Sequence, residues 1–173
     1  MTGAEFERAG PGDAELLLEL MREFYAHEHL AWDEVAARGA LGAMLDDASL
    51  GEAWLVRRGG SPAGYFVLAA GFSLEFGGRY LLLDELYVRA EHRGGGIGRA
   101  AVARAEEACR ARGMRALRLE ADRQNPRVQA LYRGLGFRDH GRDLLTKWVA
   151  PAAEGGGRNA VRARPRGRQH HPA

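Results

Sequence analysis

Arg93 is followed by Gly94, Gly95, Gly96, Ile97 and Gly98, between an apolar run that ends at Val88 and an Ala-rich amphipathic segment. Glycine loses more conformational freedom on folding than any other residue, so a run this dense needs a physical reason. A strand, a glycine-rich turn and a helix N-terminus together make a general anion site. Backbone N–H groups converge there and the helix dipole adds roughly half a positive charge. Arg93 adds a full charge at the rim. The chemistry this spacing offers is therefore the cradling of a phosphate.

Three phosphate loops fit such a run to different degrees. A nucleoside-triphosphate loop of the form GxxxxGK[ST] is excluded, because no Lys-Ser or Lys-Thr follows the glycines. Gly96, Gly98 and Ala101 fit the dinucleotide pattern GxGxxA, with Glu120 at about the expected distance downstream. Against that reading, the charged stretch RAEHR separates the strand from the glycines, and the motif falls late in the chain. A merely permissive loop also remains open on these residues alone. The third loop is carried by more of the sequence and is taken up after the elements.

The elements that must position this loop can be read from periodicity. EFERAG alternates as a short strand before a Pro-Gly turn. Asp13 is placed to cap a helix to about Ala26, with Leu16, Leu17, Leu20, Met21 and Phe24 on one face. A second helix starts after Asp33 and runs to about Leu45. EAWLVRR, YFVLAAGFSL and RYLLLDELYVR read as strands, with GGSPAG as a turn. Helical periodicity runs from Ile97 to Arg112 and Gly113 stops it. RALRLEA alternates as a strand, Asn125 and Pro126 open a helix, and GFRDHGRDLLTKWV supplies closing strands. The order predicts an α/β fold, layered as α+β, with a mixed, mostly antiparallel sheet of about six or seven strands and about four helices.

Composition narrows the classes. The 173 residues are 46% hydrophobic and 28% charged, as in a soluble globular domain. No apolar run approaches the roughly 20 residues of a membrane span, so no membrane partner is expected. The opening MTGAEFERAGPGDAE lacks the regions of a signal peptide, and Cys109 is the single cysteine; both fit a cytoplasmic location. Mid-helix among alanines, Cys109 reads as a small buried filler. Residues 151–173 hold five Arg and one Glu, and with 150 they form a Gly/Arg/Pro-rich tail expected to be disordered. Arg outnumbers Lys 24 to one, which looks like a codon preference, and nucleic acid is not expected as a partner.

The segment RGGGIG matches (R/Q)xxGx(G/A) through Arg93, Gly96 and Gly98. After it, Asn125, Tyr132, Gly136 and Phe137 form an Asn-x6-Tyr-x3-Gly-Phe signature. With the strand LDELYV before them, these motifs resemble the GNAT superfamily of N-acetyltransferases. The close resemblance spans about Leu81 to Phe137, and the order of elements is similar from about Glu5 to Val149. It implies one acetyltransferase domain over residues 1–149 and acetyl-CoA as co-substrate, with no metal. It implies that the glycines hold the coenzyme A pyrophosphate and that the strand before them splays from a parallel neighbour. Leu86, Tyr87 and Val88 would offer backbone groups to the pantetheine arm, and Arg93, Gly94, Gly95, Gly96, Ile97, Gly98, Arg99 and Asn125 complete the implied cofactor contacts.

Acetyl transfer to an amine needs a base, an oxyanion donor and modest help for a thiol leaving group whose pKa is about 8.5. Tyr132 stands at the family's general-acid position. Asp84 and Glu85 are the candidate bases; Asp84 is preferred by its match to spermidine/spermine acetyltransferases, which carry two adjacent acidic residues on this strand. Adjacent strand residues point to opposite faces, so only one is expected to face the acceptor, and a local bulge would change which one. One of the two is also expected to pair with an arginine such as Arg89. Tyr25, Glu28, Trp32 and Glu75, with His27, His29 and Glu34 nearby in sequence, make an acidic and aromatic set suited to a cationic amine. The leading expectation is transfer to a primary amine of a small molecule. A protein Lys or N-terminal acceptor, a non-catalytic acetyl-CoA-binding module and a nucleic-acid-binding tail are the alternatives. Enzymes of the family are often homodimers, so a second copy is a partner to expect.

Overall fold

The computed structural model describes residues 3–121, 123–142 and 144–149; the tail expected from residue 150 lies outside them. Strand β1 (Ala4–Arg8) leads through a 3-10 turn at Pro11–Asp13 into α1 (Ala14–His27) and α2 (Glu34–Asp46). Strands β2 (Gly51–Arg58), β3 (Ser61–Ser73) and β4 (Gly78–Val88) follow as a meander. Then come α3 (Ile97–Ala111), β5 (Leu117–Leu119) and α4 (Pro126–Gly134). The strands lie in sequence order in one sheet, antiparallel except for the β4–β5 pair.

Each sheet face reads off the period-two alternation. Trp54, Val56, Phe66, Leu68, Leu81 and Leu83 face α3, which answers with Ile97, Ala101, Val102, Ala105, Ala108 and Cys109. Alanines at the contact let the helix lie close on the strands. Ala53, Leu55, Tyr65, Val67 and Tyr87 face the other way, under Leu17, Leu18, Leu20 and Met21 of α1 and Leu41 of α2. Burial of each large apolar side chain contributes about 1.5–3 kcal/mol. Glu52, the buried acid on β2, accepts from the Trp54 indole and is flanked by Arg8 and Arg112 at 3.3 Å each, so its charge is compensated.

Most expected elements form, with informative differences. Asp33 caps α2 by accepting from Val35 and Ala36 N–H. Asp13 precedes α1 without capping it, because its carboxylate accepts from Gly10 N–H instead, closing the preceding turn. The β2–β3 turn is only Gly59–Gly60, both at positive φ, so β3 starts at Ser61 and absorbs most of GGSPAG. Among the described residues the sheet has five strands, not six or seven. β5 is three residues long, and among the described residues none after α4 is a strand. Leu144, Leu145, Trp148 and Val149 are exposed. Their apolar character is local, whereas a strand needs a backbone edge to pair with.

Gly64 is required by close approach: a Cβ there would fall 2.1 Å from the Tyr87 carbonyl oxygen and 3.0 Å from Val88 Cα. We expect Gly64→Ala to push β3 from β4 and cost about 1–3 kcal/mol. Thermal unfolding checks this, with a midpoint lower by several degrees expected; an unchanged midpoint would show that the pair relaxes freely.

Candidate active site

Strand β4 is paired on both edges only as far as Leu83, where it meets Leu119. From Asp84 to Val88 it keeps β3 on one side, and β5 has ended on the other. The splay expected of the glycine-preceding strand is therefore present, and among the described residues it leaves one backbone edge without a strand partner. A cavity of about 290 Å³ opens at this end, lined by Leu86, Tyr87, Val88, Arg93, Gly94, Gly96, Ile97 and Gly98. Eight of the expected cofactor residues thus come together, joined by Phe24, His27 and Glu28 of the α1 end and by His92.

The loop is shaped by left-handed backbone. Gly94 and Gly96 both sit at φ 80°, and Gly96 is the N-cap of α3 with no side chain to occupy the helix N-terminus. Added Cβ atoms at Gly94 and Gly98 would meet nothing within 4 Å, so the loop surface is open for a ligand. Arg93 donates from Nε to the Val88 carbonyl at 2.8 Å, with its guanidinium 5.8 Å from the Tyr87 ring centroid. Arg58, at the end of β2, was not foreseen: its Nη1 lies 3.5 Å from where a Gly95 Cβ would stand. No local motif marks it, because β2 and the glycine loop are distant in sequence and meet only in the folded chain. Converging N–H groups, a helix N-terminus and two guanidinium groups fit a pyrophosphate. Arg99 is exposed on α3, and Asn125 accepts from Val128 N–H as the cap of α4; neither lines the cavity.

The expectation that Asp84 and Glu85 face opposite ways is corrected by the register. Val67 pairs with Glu85 and Leu68 with Leu83, so Asp84 is the extra residue of a β-bulge. Leu81 and Leu83 face α3, whereas Tyr87, four positions beyond Leu83, faces α1. The bulge therefore brings Glu85 onto the face that Asp84 occupies. Both carboxylates act electrostatically on Tyr25 and Tyr65, raising those phenols above the ordinary range after burial has done most of the shift.

The two acids differ in surroundings. Glu85 accepts from the Tyr65 hydroxyl at 2.7 Å, and Tyr25 of α1 turns its hydroxyl toward the same carboxylate. Burial raises the Glu85 pKa, the two phenols offset part of that, and Asp84 adds to it. Asp84 is exposed through the opening beside β5, yet the protein around that opening still raises its pKa by desolvation. Among the described residues it has no hydrogen-bond or ion-pair partner. Arg89, expected to neutralise one of the pair, is engaged elsewhere. It bonds Glu23 at 2.6 and 3.0 Å, Glu19 at 2.7 Å and the Pro62 carbonyl, stapling α1 to the end of β4.

The expected acceptor residues separate into groups. Tyr25 and Trp32 meet edge to face at 5.2 Å between ring centroids. Trp32 donates its indole N–H to Glu34 and has Arg22 5.6 Å from its ring, so one aromatic neighbour for a cation is already supplied. Arg22, then the Trp32 indole, hold the Glu34 carboxyl down at about 2. Glu75 lies in the β3–β4 turn, away from the glycine end of β4, and pairs with Arg142. Tyr132 is half-buried, packed edge to face on Phe137 at 5.7 Å, and burial raises its phenol pKa. Among the described residues, no group of three or more His, Cys, Asp or Glu is placed to hold a metal, and no helix is long and apolar enough to cross a membrane.

The sequence profile of the acetyltransferase (GNAT) family matches residues 14–137. The bovine (Bos taurus) thialysine N-epsilon-acetyltransferase is 32% identical over 143 residues, covering 76% of this chain and 82% of the relative. An integron cassette protein from the mobile metagenome of Cole Harbour Salt Marsh superposes with a TM-score of 0.75 at 37% identity, covering 85% of this chain and 91% of that one. An aminoglycoside N-acetyltransferase in complex with CoA shares the fold at a TM-score of 0.68 and 14% identity, over 85% of this chain and 95% of that one. With a splayed β4, an open glycine loop at the head of α3 and a family match over most of its length, the chain belongs to the GNAT acetyltransferases, N-acetyltransferases that depend on acetyl-CoA.

Proposed function

We propose that this enzyme acetylates a primary amine on a small cationic molecule, with Asp84 and Glu85 serving the acceptor and Tyr132 the leaving group. The observation that carries this reading is the pair of carboxylates turned to one face of β4 by the bulge, next to the end of the strand that lines the cavity. A negative site of this kind attracts an ammonium group and offers it a proton acceptor. The thialysine acetyltransferase relative, whose name places its action on a side-chain nitrogen, supports a small amine over a protein acceptor.

Bound acetyl-CoA supplies an activated acetyl group: the amine nitrogen forms a C–N bond at the thioester carbonyl, the C–S bond breaks, and the proton lost by nitrogen leaves through the acidic pair. Gly94 to Gly98 with α3 hold the pyrophosphate, Arg93 and Arg58 add charge at the rim, and Leu86 to Val88 align the arm through backbone groups. A backbone N–H of that strand serves the carbonyl oxygen. The Tyr132 hydroxyl delivers a proton to sulfur. Asn125 acts from one step away, by fixing the start of the helix that carries Tyr132.

Three outcomes are expected. Acetyl-CoA at 100 times its Kd should stabilise the protein by about 2.7 kcal/mol, raising the unfolding midpoint by several degrees, while NADH should not; the reverse result would return the loop to the dinucleotide class. Gly96→Glu should abolish acetyl-CoA binding in calorimetry, because it adds negative charge where a left-handed residue caps α3. Tyr132→Phe should lower turnover of a responsive amine by about 100-fold with the acetyl-CoA Kd little changed, and a large loss of affinity would make Tyr132 structural.

A further inference from the structure

We infer that the buried Tyr65 hydroxyl is a positioning group for acceptor recognition: it holds Glu85 ionised as the anchor for the acceptor's cationic group and leaves Asp84 to take the proton. The inference rests on the amine-acetylating reading above and assigns a part to a residue outside every motif. Tyr65 is wholly buried in the middle of β3, directly opposite Tyr87 in the register. Its ring is locked by neighbours, with Phe24 at 6.4 Å and Tyr87 at 6.3 Å between centroids. A phenol so placed can deliver its hydrogen in only a narrow range of directions, and the acceptor it finds is Glu85 at 2.7 Å.

The bulge makes this contact possible. Without the extra residue, the alternation of Leu81 and Leu83 would carry Glu85 to the α3 face, away from Tyr65. With it, Glu85 stands over the α1 face and is enclosed from three elements. Tyr65 approaches from β3, Tyr25 from α1, and Asp84 from its own strand. Among the described residues no cation acts on it, and Arg89 is held by Glu19 and Glu23. The two phenol donors offset part of the penalty that burial puts on the Glu85 anion without cancelling its charge, so that charge remains available to an incoming ammonium. Asp84, without a partner among the described residues and open to solvent, has the free lone pairs and the exit route that a proton acceptor needs.

The division of labour can be read by titration and by kinetics on the whole chain. Side-chain carboxyl ¹³C NMR of the protein without acceptor follows Glu85 directly, and Glu85→Gln assigns its resonance. In Tyr65→Phe the ring packing is kept and the hydrogen bond is lost, so Glu85 should titrate about one pH unit higher. In acetylation assays the same variant should move the acid limb of kcat/KM upward by a similar amount. It should also raise the acceptor KM about tenfold below that limb, with the acetyl-CoA Kd unchanged. In a Glu85→Gln background the added Tyr65→Phe change should move nothing further. The inference is overturned if Glu85 titrates alike in both proteins, or if Tyr65→Phe shifts the acid limb equally without Glu85. Should the phenylalanine variant unfold, Tyr65→Met provides the same deletion of the hydroxyl under the same two readings. A parent protein that transfers no acetyl group to any amine overturns the underlying reading and the acceptor role with it, whereas the NMR titration still decides whether Tyr65 governs Glu85.

Discussion

Strand β4 must satisfy its backbone in two different ways along its length. From Leu81 to Leu83 it is an interior strand, paired to β3 and β5; beyond Leu83 no strand among the described residues bonds its outer edge. A buried backbone group without a partner is costly, so an edge of this kind persists where a ligand or solvent reaches it. The whole of the candidate site is arranged around that change of state. The cavity lies beside the unpaired segment, the glycine loop follows the strand after the short RAEHR connection, and α3 takes its N-terminus from the loop.

The bulge at Asp84 falls at this same point, and its consequence is chemical. Regular alternation would have sent one carboxylate under α3, into an apolar core with no partner, at a cost that would have forced it neutral. The extra residue keeps both acids with α1, where Tyr65 and Tyr25 supply donors. A local interruption of the ladder thus converts two consecutive side chains into one acidic site. Arg89 reinforces the arrangement from outside by clamping Glu19 and Glu23, which holds α1 in place and keeps a strong cation from quenching the pair.

Much of the site was legible because it is encoded locally. The glycine run, Arg93 and the strand before it occupy consecutive positions, and a turn that needs positive φ at Gly94 and Gly96 writes itself as glycine. The caps at Asp33 and Asn125 were equally local, each acting on an N–H two or three residues away. Arg58 and Tyr65 were not legible. Each reaches its partner only across the sheet, Arg58 toward Gly95 and Tyr65 toward Glu85, and no spacing in the chain records either approach.

The closing segment expected over 136–149 and Asp13 show the opposite case, in which a local reading promised more than the described residues deliver. LLTKWV is apolar enough for a strand, but apolar content does not supply a partner; pairing depends on an available edge, and β5 offers three residues. Asp13 is of the right type to cap α1, but Gly10 N–H competes for its carboxylate and wins by closing a tighter turn. By itself, then, the amino-acid sequence determined the order of the elements, the helix faces and the anion loop, because each depends on neighbours within a turn or two along the chain. Where β4 leaves β5, which face Glu85 takes and which groups surround it were decided only by tertiary structure, because each depends on a register between strands that are distant in sequence.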